Sequence, residues 1–182
     1  MLQRPDHLVV HRTGGFSDAT LFFDGKKATI EDMTDHRYAS LDMPGSVEDL
    51  RAKLRNLPGL ALPAAELLGK GSGAQMAAEV SDAKTIGPAV IRGELCEHLA
   101  FRTTETDFQL WVHMGDKPYP CKMVINSKTV LGSPKYTLHI TSFKPDATFP
   151  DGTFAFKPAA DAKEVKLSEI GDLDEIPQAQ TK

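Results

Sequence analysis

Cys96 and Cys121, together with Met114 and His98, are the set of side chains in this sequence that most suggests metal chemistry, because thiolate and thioether donors favour copper(I). Whether they can act together depends on strand register. The segments CEHLAFRT (96–103), DFQLWVHM (107–114) and CKMVINSK (121–128) alternate as strands do. Turns centred near Glu105 and Lys117-Pro118 set Cys96 opposite Met114 and Met114 opposite Cys121. The cysteines then stand two strand spacings apart, about 9–10 Å between Cα atoms, beyond the ~7 Å limit of an undistorted disulfide. This register predicts thiols packed as small hydrophobes, with neither a bridge nor a metal site.

The six histidines, His7, His11, His36, His98, His113 and His139, fall mostly one per strand and lack metalloprotease spacing. In the same register His113 lies beside Lys122 and His139 beside Asn126, so neither gains the carboxylate partner that acid–base work requires. The sequence holds no G-x-S-x-G elbow, no G-x-G-x-x-G loop after a strand and no C-x-x-C. Gly69-Lys-Gly-Ser-Gly73 places its lysine before the glycines are complete and follows no buried strand, so it reads as a helix–helix linker rather than a phosphate loop. The expectation is a protein without catalytic residues, cofactor or metal: not an enzyme.

A chain of 182 residues, 41% hydrophobic and 25% charged, has the size and composition of one folded domain. Its net charge of -4, without a Lys/Arg run, argues against nucleic acid as a partner. Apolar runs of a few residues fall well short of the roughly 18 that cross a bilayer, and the start, MLQRPDHLVVHR, is no secretory signal.

Strands are expected over 8–12, 18–24, 27–32 and 37–42. Asp24-Gly25 suits a type I′ hairpin that sets Phe23 opposite Lys26, Leu21 opposite Ala28 and Ala19 opposite Ile30. A helical insertion spans 46–80. Ser46 and Asp49 resemble a capping box, Leu50, Leu54 and Leu57 share a face, and Pro58-Gly59 stops the first helix; short helices follow over 64–68 and 74–80. Strands resume over 89–91, the three segments above, 135–141 and 154–156. Connections this short allow only antiparallel neighbours. The fold class is therefore α+β, mainly antiparallel β, with one domain over 1–160 and an acidic 161–182 segment that reads as a loosely held edge followed by disorder.

In the central strands Leu110, Val112, Met123, Ile125, Leu138 and Ile140 share one apolar face with Cys96, His98 and Ala100. Helix residues Leu50, Leu54, Leu67 and Met76 supply apolar surface to cover it. The opposite face is mostly polar apart from a stripe of Leu99, Phe101, Trp111 and Val124. That stripe is read as cross-strand packing, or as a docking patch for a partner.

The segments QRPDHLVV, ATLFFDGKKATI, YASLDMPGSVEDL, LPAAELL, CEHLAFRTTETDFQLWV, KPYPCKMVINSK and PKYTLHI resemble a group of predicted periplasmic proteins, DUF2092, within the superfamily of LolA-like lipoprotein carriers. The similarity covers roughly residues 3–160. It implies a curved half-barrel sheet whose concave face is covered by the inserted helices, a periplasmic location, and the lack at the start of this chain of a signal peptide, helix and first strand. Cys121 stands where relatives usually carry a basic residue. By analogy the covered face, with the ten residues from Leu50 to Ile140 named above, receives lipid or the acyl part of a lipoprotein. The competing expectation is an envelope module that binds another protein through the sheet face or edge.

Overall fold

The computed structural model describes residues 1–14, 17–55, 67 and 72–170. The chain divides into two compact units, one built from Met1–Leu62 with Thr148–Glu175, the other centred on Pro63–Ala147. Each contains an open sheet, nearly all antiparallel, and no closed barrel forms among the described residues.

In the first unit, strands β1 (Leu2–Gln3), β2 (His7–Gly14), β3 (Ser17–Phe23), β4 (Lys27–Asp32) and β5 (Arg37–Asp42) follow one another in space as in sequence. The β3–β4 turn is longer than the expected two-residue hairpin. The Asp24 carboxylate accepts the backbone N–H groups of Lys26 and Lys27 at 2.9 and 2.8 Å, and Gly25 takes φ +83°. Phe23 consequently faces Ala28 and Leu21 faces Ile30, a slip of two residues from the expectation. An even slip keeps every side chain on its side of the pleat. Leu8, Leu21, Phe23, Ala28, Ile30 and Ala39 therefore share one buried face.

Helix α1 (Val47–Arg55) follows β5 and buries Val47, Leu50 and Leu54 on a single stripe. Its start is the expected cap: Ser46 donates its hydroxyl and backbone N–H to the Asp49 carboxylate, and Asp49 N–H returns a bond to Ser46 Oγ. The Ser46 side-chain bond, then its backbone N–H, hold the Asp49 carboxyl below its ordinary value. Leu57 and most of the helix expected over 64–68 lie outside the described residues. Residues 171–182 lie outside the described residues; within the acidic stretch after residue 161, the edge segment is β11 (Lys163–Glu164), which pairs in parallel with β5 at Arg37 and Tyr38. Ile170 closes it with a buried side chain. No strand forms over 154–156, where Phe154 is nevertheless buried.

In the second unit α2 (Ser72–Ala78) precedes the strands β6 (Asp82–Ile91), β7 (Glu94–Arg102), β8 (Thr106–His113), β9 (Pro120–Ser127) and β10 (Lys135–His139), which form an antiparallel meander. Its register corrects the sequence expectation. Thr103 N–H donates to the Thr106 carbonyl at 2.8 Å, while the Thr103 hydroxyl accepts the N–H groups of Glu105 and Thr106. The loop is thus Thr104-Glu105, centred between two residues rather than on Glu105. Cys96 pairs with His113 instead of Met114, and a one-residue slip turns all of β7 over relative to β8.

Between β8 and β9 the slip is even, with Leu110 opposite Met123 and Phe108 opposite Ile125. The register then breaks: Trp111 faces Lys122 but Val112 faces Pro120, leaving Cys121 as the extra residue of a bulge. The bulge takes Cys121 out of the regular spacing and brings its Cα to 7.1 Å from that of Cys96, and the two form a disulfide across β8. The expectation of two unbridged thiols is therefore wrong. It rested on a regular ladder, which the bulge interrupts.

A bridge spanning 25 residues of sequence removes loop freedom from the unfolded chain, an effect of about 3 kcal/mol in the chain-entropy description. We expect Cys96→Ala/Cys121→Ala to lower unfolding free energy by about that amount in urea titrations. A midpoint indistinguishable from that of the parent would show that the bridge constrains little.

Candidate functional site

The β7–β8 slip decides what each face of the second sheet presents. One face carries Leu99 and Phe101 from β7, Phe108, Leu110 and Val112 from β8, Met123 and Ile125 from β9, and Tyr136 and Leu138 from β10. Phe108 and Met123 are buried at its centre. Leu67, Met76, Val80, Phe101, Leu110, Ile125, Tyr136 and Leu138 pack around them and keep part of their surface exposed. Six of the ten residues expected to line a ligand cavity, Leu67, Met76, Leu110, Met123, Ile125 and Leu138, thus come together. Val112 lies on the same face by register, and Ile140 continues β10, its N–H donating to the Cys121 carbonyl at 2.9 Å. Leu50 and Leu54 are in α1 of the first unit, 1% and 6% exposed.

At the edge of the same face stands Glu97, opposite Val112. Its Oε1 is buried and has no hydrogen-bond partner among the described residues. Farther out, Val90 pairs with Leu95, and the Met114 N–H bonds to the Leu95 carbonyl. All three side chains are at least half exposed.

The opposite face is organised around Trp111. Cys96, Trp111 and Cys121 are buried together, with Ala89, Ile91, Tyr119 and Val124 packed against them. His98 stacks on the indole at 4.1 Å between centroids, its Nε2 held by Gln109 at 2.9 Å, and Lys122 Nζ lies 4.6 Å over the ring. The proposed stripe of Leu99, Phe101, Trp111 and Val124 is therefore not one surface. Leu99 and Phe101 pair with Leu110 and Phe108 and lie on the apolar face, whereas Trp111 and Val124 lie on the other, with the indole 8% exposed.

Four histidines meet carboxylates, contrary to the expectation for His113. His113 Nε2 is 3.3 Å from Glu94, His7 Nδ1 2.7 Å from Asp6, His11 Nε2 2.8 Å from Asp18 and His36 Nδ1 3.0 Å from Asp161. His139 faces Lys122 rather than Asn126. These pairs are scattered over the strands and at least partly exposed, so they do not converge on one reacting atom. Among the described residues no three His, Cys, Asp or Glu side chains cluster as metal ligands would.

The first unit contains a concavity that the sequence reading missed. On the face of its sheet opposite the buried apolar residues Leu21, Phe23 and Ile30, Phe22, Thr29 and Ser40 form one cross-strand row, with Tyr38 in the next. Phe156 from the segment before β11 packs on Phe22 and Tyr38, at 5.4 and 4.9 Å between centroids. Together they wall a cleft of about 310 Å³. The available signal was the register of Phe22 with Thr29 and Ser40; the contribution of Phe156, more than a hundred residues away, had none.

A family model described as "Predicted periplasmic protein (DUF2092)" matches residues 1–168. The search of curated proteins finds no match. No helix among the described residues is long and apolar enough to cross a membrane.

Trp111 is wedged between the disulfide, His98 and Lys122, so Trp111→Ala should cost about 3–5 kcal/mol, the range for a buried aromatic, read as a lower unfolding midpoint. An unchanged midpoint would mean the indole is a surface anchor after all.

Proposed function

We propose a lipid-binding role for this chain, which belongs to the DUF2092 family of periplasmic proteins: a non-catalytic carrier or sensor that receives a lipid or the acyl chain of a lipoprotein. The observation that carries this reading is the apolar face of the second sheet, where two buried residues are ringed by eight apolar side chains that remain partly exposed. Leu67, Met76, Leu110, Met123, Ile125 and Leu138 are the seat, with Val112 and Ile140 extending it. An acyl chain laid there completes the burial that the protein leaves unfinished. Each methylene contributes about 0.8 kcal/mol, so ten supply about 8 kcal/mol before ordering costs. Met76 and Met123 can adjust to an irregular chain. The reading includes a LolA-like curvature of the antiparallel sheets.

A second reading, an envelope interaction module, is favoured by the edge strand β6, where Ile86 and Val90 are 53% and 68% exposed. Gly87 sits at a register break and Pro88 donates no N–H, both of which discourage strand addition at that edge.

Native mass spectrometry of the chain purified from periplasm should show a species heavier by the mass of a lipid, and Leu110→Arg should remove that species while leaving the far-ultraviolet circular dichroism unchanged. Recovery of unliganded protein only, together with failure to take up added myristate, would sink the lipid reading.

A further inference from the structure

The cleft in the first unit has a different chemistry from the apolar face, and its size alone separates the two. At about 310 Å³ it lies at the small end of ligand pockets, which run from about 300 to 1,000 Å³, too small to bury a lipid. Aromatic rings wall it, with Phe156 leaning on Phe22 and Tyr38. Its floor is polar. Thr29, only 3% exposed, and Ser40 share a hydrogen bond of 2.9 Å between their hydroxyls.

Charges of both signs stand at the rim. Lys27 supplies an ammonium, and Asp24 and Glu164 supply carboxylates. These three groups do not neutralise one another, since none of the ion pairs among the described residues involves Lys27, Asp24 or Glu164. Asp24 stays anionic at neutral pH: burial works against its charge, but the N–H groups of Lys27, Lys26 and Asp24 itself, with the nearby His7, together outweigh that and hold its carboxyl below the ordinary value. Such a site offers an apolar wall, a cation and two anions within one small volume.

We propose that this cleft binds a free α-amino acid with an apolar side chain, its carboxylate towards Lys27, its ammonium towards Glu164 and Asp24, and its side chain against Phe22, Tyr38 and Phe156. The requirement for both charges within a few bonds excludes an internal peptide segment and a fatty acid. Aromatic faces also attract the ammonium group itself. The site lies within one unit and on a different sheet from the proposed lipid seat, so it stands or falls separately from that reading.

Calorimetric titration of the full chain with three probes tests it: L-phenylalanine, N-acetyl-L-phenylalanine, which lacks the ammonium, and L-phenylalanine amide, which lacks the carboxylate. L-Phenylalanine should bind saturably, and each blocked form at least about tenfold more weakly, a loss of about 1.4 kcal/mol. Lys27→Met, at an exposed position, should weaken L-phenylalanine about tenfold and leave the amide unaffected, while Leu110→Arg should leave L-phenylalanine binding intact. Equal affinity for the acetylated form, unchanged affinity in Lys27→Met, or no saturable heat with any probe from protein whose circular dichroism shows it folded would each overturn the proposal.

Discussion

The register of the second unit's sheet depends on the hydroxyl of Thr103. By accepting the N–H groups of Glu105 and Thr106 it fixes a two-residue loop between β7 and β8. Loop length sets parity, and parity sets which side chains of β7 join which face. With this loop, Leu99 and Phe101 meet Leu110 and Phe108, and the sheet presents one nearly unbroken apolar surface. A loop one residue longer would place Cys96, His98 and Ala100 there instead. The Thr103 side chain is largely buried and its carbonyl accepts from Lys128 Nζ, so the turn is anchored from the neighbouring strand as well.

The two faces that result are stabilised by different means. The apolar face relies on aliphatic and aromatic burial, which is non-directional and here incomplete. On the other face a covalent bridge, a stacked imidazole and a cation over the indole fix Trp111 in one place. A bridge of this kind persists in an oxidising compartment, which agrees with the periplasmic family. Rigidity behind the sheet and incomplete burial in front of it are the two properties that the proposed ligand exchange would require.

Much of this was legible in the residues. The strands from His7 to Asp42 and from Glu94 to Ser127 follow from period-two alternation and turn residues, and the Ser46–Asp49 cap announces α1. What escaped was set by single-residue events. Counting outward from Glu105 could not distinguish a two-residue loop from a three-residue one, because the difference lies in one side-chain hydrogen bond. The bulge at Cys121 has no composition of its own, so a regular ladder excluded a disulfide that the folded chain forms. The placing of Leu110, Met123, Ile125 and Leu138 on one face survived these errors because the β8–β9 slip was even, whereas the Trp111 stripe did not survive the odd one. Phe156 reaches its cleft from a distant, irregular segment that no local pattern marks.

The most direct test of the account is to see which methyl groups touch a bound acyl chain. With myristate added to protein labelled at its Leu, Ile and Met methyls, intermolecular nuclear Overhauser contacts should appear at Leu110, Met123, Ile125 and Leu138 and be absent from Leu8, Leu21 and Ile30 of the other sheet. Contacts confined to the first unit, or none despite saturating myristate, would contradict the assignment of the second sheet's apolar face as the ligand seat.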